Sequence, residues 1–177
     1  MIVPIYELKL RKNNLPYLCK VSEVIGSKKI DDIKKSVAIF NKAFDAENLA
    51  EEICMLLCLD RDKTPIGVFK ISKGTYKGCL VELRGIFHRC FAINAKYFIE
   101  AHNHPSGSLE PSDEDINKAI ELRTLGFLFE IPQLDNIIIS NKGYISIFKD
   151  ENMESEETVA MFELLKQLLS MGFGYED

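Results

Sequence analysis

The 177-residue chain has no excess of positive charge. Its 22 Lys and Arg stand against 27 Asp and Glu, a net charge of -5. A domain that grips nucleic acid through phosphates is usually basic, so broad electrostatic binding to DNA or RNA is disfavoured. The chain also lacks any apolar run of the ~18 residues that a membrane span needs. Its opening stretch, Met1 to Asn13, is too short and too polar for a secretory leader. No membrane partner is expected, and the expected location is the cytoplasm. There is no CxxC pair. The five cysteines (Cys19, Cys54, Cys58, Cys79, Cys90) are odd in number, and most sit in apolar runs such as ICMLLCL. Reduced core cysteines are the expectation, rather than disulfides or a cysteine zinc site. Repeats and low-complexity tracts are missing, and tryptophan is absent, which by itself decides nothing.

The remaining composition is globular: 46% hydrophobic and 28% charged. A chain of this length forms one domain with room for an appendage, and buries roughly 70% of its unfolded surface without a staple. Ile2–Leu10 alternates as a strand, and Tyr17–Ile25 is a second extended stretch. Apolar residues at 33, 37, 40 and 44 predict a helix over 32–44, with a short helical turn at 46–51. The continuous run Ile53–Leu59 reads as a strand buried on both faces. Ile66–Ser72 is its hairpin partner, and Cys79–Leu83 resumes an extended form. A helix is expected over Gly85–Ala95 with Ile86, Phe87, Cys90 and Phe91 on its apolar side. A strand follows at Tyr97–His102. Ser112 caps a helix whose first turn holds Asp113, Glu114 and Asp115 and which stops at Gly126. Asn136–Ser140 and Tyr144–Phe148 form a hairpin. After an acidic break, Thr158–Phe173 is amphipathic. Strands and helices interleave, which places the fold in the α/β or α+β class around a mixed sheet.

Two of the three histidines lie in AlaHisAsnHisProSerGly. His102 and His104 stand two apart at a strand end, where i and i+2 share a face. Ser112 follows after seven intervening residues and Asp115 after two more. A Pro-bounded loop returns Asp115 toward the histidines. Two imidazoles and one carboxylate make a three-ligand zinc site with a fourth position open to water, the catalytic arrangement. Water on zinc has its pKa lowered toward ~7. A base is then needed, and a Glu near but not on the metal suits it. Glu52 opens the buried strand with Glu51 beside it. Glu82 and Glu100 are alternatives, Glu100 also as a supporting partner of His102. The Ser112 hydroxyl is a candidate donor to the oxyanion of a tetrahedral intermediate, alongside its capping role.

This pattern resembles the JAMM motif of the JAB/MPN metalloprotease superfamily: Glu, a long gap, His-x-His, seven residues, Ser, two residues, Asp. HNHPSG with the following PS..D resembles the RadC branch in particular. Two flanks agree: GTYKGCLV with Arg84 and Phe87, and EICMLLCLD, which has Cys54 where that branch has Phe. The resemblance covers about residues 45–148. It implies an α/β fold, a three-layer α-β-α sandwich around a mixed sheet of JAB/MPN (cytidine-deaminase-like) type. It further implies zinc on His102, His104 and Asp115, Glu52 as base with Ser112 assisting, and hydrolysis of a peptide or isopeptide bond. The implied plan is a strand-and-helix extension at 1–44, the metal-binding domain at 45–150 and an amphipathic helix at 151–177. The RadC branch often has Asp-His where this chain has Asp135–Asn136. Residues 1–44 show none of the glycine hairpins of that branch's DNA-binding region.

Rival chemistries fit less well. A zinc deaminase needs His-x-Glu and Pro-Cys-x-x-Cys, and neither occurs. Three adjacent letters His-Asn-His do not make the ββα unit of a nuclease. The readings from a different class are a DNA-repair-associated protein and a noncatalytic metal-binding interaction module.

Overall fold

A computed structural model describes residues 1–75, 78 and 82–149. The Ile53–Leu59 run becomes β3, buried at every position. It lies fourth in a seven-stranded mixed sheet of order β2-β1-β4-β3-β5-β6-β7. The other strands are β1 (Ile2–Leu10), β2 (Pro16–Ile25), β4 (Pro65–Lys73), β5 (Tyr97–Asn103), β6 (Gln133–Ser140) and β7 (Gly143–Ser146). β1 runs parallel to β4, and β5 runs parallel to β6. The remaining neighbours are antiparallel. The N-terminal hairpin therefore adds two strands to the same sheet.

Period-2 alternation sends β3 side chains to two different cores. Ile53, Met55, Leu57 and Leu59 pack with Val37, Ile39 and Phe40 of α1 (Ile33–Phe44). Cys54, Leu56 and Cys58 pack with Ile86, Phe87 and Cys90 of α2 (Leu83–Ala92) and Leu122 of α3 (Asp113–Leu128). A strand apolar on both faces is thus explained: each face has helices to bury it. Among the described residues no helix is long and apolar enough to cross a membrane. Among the described residues Cys19, Cys54, Cys58 and Cys90 form no disulfide. Cys58 and Cys90 come within 4.0 Å through sulfur, and burial pushes the Cys58 thiol up, which makes it unreactive.

Four elements differ from expectation, one of them β7, expected over Tyr144–Phe148, which stops at Ser146 where a 3-10 turn, Ile147–Lys149, begins. The turn after α1 shrinks to a 3-10 segment, Ala46–Asn48. α2 begins at Leu83, before the expected Gly85, and ends at Ala92, where Asn94 takes a left-handed backbone; Phe91, expected on the apolar face, is 54% exposed. Residues 79–81 and the amphipathic 158–173 stretch lie outside the described residues. α3 continues past Gly126 to Leu128, and the left-handed residue that follows it is Glu130.

Gly126 serves packing rather than termination. A Cβ built there would meet the Ile131 carbonyl oxygen at 2.8 Å and a Phe98 ring carbon at 3.1 Å. Gly126→Ala gains about 1 kcal/mol of helix propensity but forces α3 off the sheet. The expected net result is destabilisation of about 1–3 kcal/mol. Urea unfolding measures it, and a stabilised variant contradicts this account of the glycine.

Candidate metal centre

The centre forms where β5 ends and α3 begins. His102 sits on β5, opposite Cys54 of β3 and Ile138 of β6. The His104 backbone N–H donates to Ile139 O at 2.8 Å, which prolongs the parallel ladder beyond the strand. Gly107 N–H closes a turn onto the His104 carbonyl at 3.0 Å, with Pro105 at its second position as type I turns favour. Gly107 follows with φ +79, where a side chain is strained and a Cβ would lie 3.0 Å from Asn141 Oδ1. The chain then enters α3 through a capping box. The Ser112 hydroxyl accepts from Asp115 N–H at 3.2 Å, and Asp115 Oδ2 accepts from Ser112 N–H at 2.8 Å.

This brings the three expected ligands together. The Nε2 atoms of His102 and His104 are 3.2 Å apart. His102 Nε2 lies 3.2 Å from Asp115 Oδ1, and His104 Nε2 lies 3.6 Å from Asp115 Oδ2. Among the described residues these three form a group able to hold a metal ion. Their outer atoms are already engaged. His104 Nδ1 faces Ser108 O at 3.1 Å, so donation there leaves Nε2 with its lone pair inward. Asp115 Oδ2 also accepts from the Ser112 hydroxyl at 2.6 Å, which leaves Oδ1 facing His102. The Ser112 proton, expected to reach a reacting oxygen, is thus directed at the ligand carboxylate.

Electrostatics tie the group together. Burial alone would push the His102 imidazole down. The Asp115, Glu100 and Glu52 carboxylates outweigh it and hold His102 above its ordinary range. Partial burial would raise Asp115, but the His102 and His104 imidazoles that face it and the hydrogen bond from Ser112 hold it far below the usual carboxylate range.

A profile of the RadC-like JAB domain matches residues 30–153. The chain belongs to the RadC-like JAB domain family. Similar curated proteins carry the name UPF0758 protein. One from Thermotoga maritima is 31% identical over 121 residues, 68% of this chain and 54% of that protein. One from Thermosynechococcus vestitus is 39% identical over 98 residues, covering 55% and 39%. One from Staphylococcus aureus is 34% identical over 110 residues, covering 60% and 50%. The chain spans about half the length of the curated relatives it matches.

In this RadC-like domain Glu52 stands just before β3, held by backbone bonds. Its N–H donates to Thr75 O at 3.0 Å and its carbonyl accepts from Gly74 N–H at 2.8 Å. It lines a cleft of about 270 Å³ together with His104, Ser106, Ser112 and Asp115, and a smaller chamber with His102 and Asp115. Glu51 turns to Lys73 at 3.1 Å. Glu100 is buried on β5, with Oε1 3.9 Å from His102 Nδ1 and accepting from the Cys54 thiol at 3.1 Å. Burial raises its carboxyl, against the pull of His102.

The sequence reading passed over Asn103, although it stands between the two histidines. Its Oδ1 accepts from the Ile53 N–H at 2.8 Å, and its Nδ2 donates to Glu51 O at 3.2 Å. It therefore clamps the Glu51–Ile53 backbone, and with it Glu52, to the strand that carries His102. A polar residue ending a buried strand was the available signal. Asn103→Ala leaves a buried N–H unsatisfied, and we expect a loss of about 1–3 kcal/mol in chemical unfolding with metal binding retained. A variant as stable as the parent removes the clamp.

Proposed function

We propose that the chain is a zinc-dependent hydrolase of amide bonds, cleaving a peptide or isopeptide in the cytoplasm. The observation that carries this reading is the spacing of the three donor atoms. Ligands ~2.0–2.2 Å from a four-coordinate zinc stand about 3.2–3.5 Å from one another. The His102 Nε2–His104 Nε2 and His102 Nε2–Asp115 Oδ1 separations are both 3.2 Å, and the carboxylate's other oxygen, Oδ2, lies 3.6 Å from His104 Nε2, with one donor atom from each residue within 4.8 Å of the others. The donor set, two imidazole nitrogens and a carboxylate oxygen, is one zinc accepts. His102, His104 and Asp115 would hold the ion, which supplies Lewis acidity and a water activated near neutral pH.

The chain's own residues supply the rest. Glu52 lines the cleft without belonging to the ligand group, so its carboxylate takes the proton of the attacking water and returns it to the leaving amine. Ser112 steadies Asp115, and its hydroxyl turns to a developing oxyanion only by releasing that carboxylate. Helices on both faces of the sheet support a three-layer α-β-α sandwich of JAB/MPN type. The proposed plan is a 1–44 extension and a 45–150 catalytic unit; the 151–177 segment lies outside the described residues.

The test is a panel of fluorogenic peptide and isopeptide amides incubated with zinc-loaded protein. Hydrolysis that a chelator abolishes and added zinc restores supports the proposal. No turnover of any amide, combined with salt-sensitive retention of a DNA duplex, replaces it with a nucleic-acid-associated role.

A further inference from the structure

Behind the metal centre, on the His102 side, lies a second, smaller chamber of about 60 Å³. At about 10–15 Å³ per water-sized probe it admits roughly four to six small groups, too few for an aromatic ring. Its walls are rich in acceptors. Glu52, Glu100, Glu114 and Asp115 contribute carboxylates. Asn136, 1% exposed, lines it as well, and its Oδ1 meets no donor. Leaving a buried carbonyl unpaired costs about 1–3 kcal/mol, which a donor-bearing ligand relieves. Lys118, the lysine on its walls among the described residues, pairs through Nζ with Glu121 at 2.8 Å.

The spread of these groups argues against a second bare ion. Among the described residues only His102, His104 and Asp115 converge closely enough to share one. Glu52, Glu100 and Glu114 stand farther apart and suit a larger cation with several N–H donors. Asp115 and Glu52 also border the main cleft. A group seated in the chamber is therefore one side of a molecule whose other side crosses the metal centre.

We infer that this chamber binds a primary ammonium group of the substrate, held by Glu100, Glu114 and the Asn136 carbonyl. The inference rests on the hydrolase reading for the word substrate, but not for the binding of ammonium. It narrows the substrate class to amides with a free amine close to the scissile bond. That amine comes either from an α-amino group or from a lysine side chain.

The experiment follows backbone amide shifts of the full, zinc-loaded chain while methylammonium chloride is added at neutral pH. Tetramethylammonium, which is larger and has no N–H, is the control. Saturable shifts at Glu100 and Asn136 with methylammonium alone are expected. Glu100→Gln and Asn136→Leu should each weaken binding about tenfold, the loss of one charge-assisted hydrogen bond. Lys118→Met should tighten it, a gain that a folding defect cannot imitate. Glycinamide and Nα-acetyl-lysine amide then separate the two sources, since the tighter ligand identifies the amine. Shifts that never saturate, or equal shifts from tetramethylammonium, overturn the inference. So does Lys118→Met without effect. Zinc content measured on the same samples keeps the two proposals apart. Ammonium binding without zinc binding removes the hydrolase and leaves the chamber, whereas zinc binding without ammonium binding does the reverse.

Discussion

Glu52→Gln should keep its metal and lose hydrolysis by about 10²–10⁴-fold, the usual contribution of a positioned general base. The substitution preserves shape and removes the carboxylate's charge together with its ability to accept a proton. Glu52 lies outside the His102–His104–Asp115 group, so the metal content of the variant should equal that of the parent. Its backbone bonds to Thr75 and Gly74 involve no side-chain atom and survive the change. Single-turnover hydrolysis with zinc analysis on the same preparation is the measurement. Retained hydrolysis removes Glu52 as the base and turns attention to Glu100, which is buried beside His102.

A second large effect concerns pH. In the metal-free protein His102 is held above its ordinary range. Its contribution to stability is complete below about pH 6.5 and is lost as pH rises through its folded value. Asp115 is depressed, so its contribution is present above about pH 4 and lost only in strong acid. Metal binding requires neutral imidazole. Raising the pH from about 6 to about 8 therefore weakens the metal-free protein and strengthens the loaded one. With free zinc at about 100 times its dissociation constant, loading adds about 2.7 kcal/mol, a rise of roughly 5–10 °C in Tm. The Tm gap between loaded and metal-free protein should widen with pH across that window. A gap that narrows contradicts the assignment of His102 as a ligand.

Much of this centre was legible because its signals are local. The spacing from His102 to Asp115 falls within one strand end, one tight loop and one helix turn, each with its own residue signature. Ser112 announced its cap, and the seven-residue apolar run of β3 announced a central strand. Where the reading failed, distant contacts decided the outcome. Gly126 looked like a helix terminator because nothing nearby reveals that Ile131 and Phe98 press against its Cα. The start of α2 carries no side-chain cap, so the sequence there offered no boundary. Asn103 works through Glu51 and Ile53, some fifty positions away. The acceptor wall made by Glu100 and Asn136 exists only because β5 and β6 pair in that register.

Metal content by plasma mass spectrometry, on protein purified without a histidine tag and beside His104→Ala, tests the central claim most directly. About one zinc per chain in the parent and none in the variant is the predicted result. Parent protein that stays metal-free after zinc addition and dialysis contradicts the claim, as does a variant that keeps its zinc.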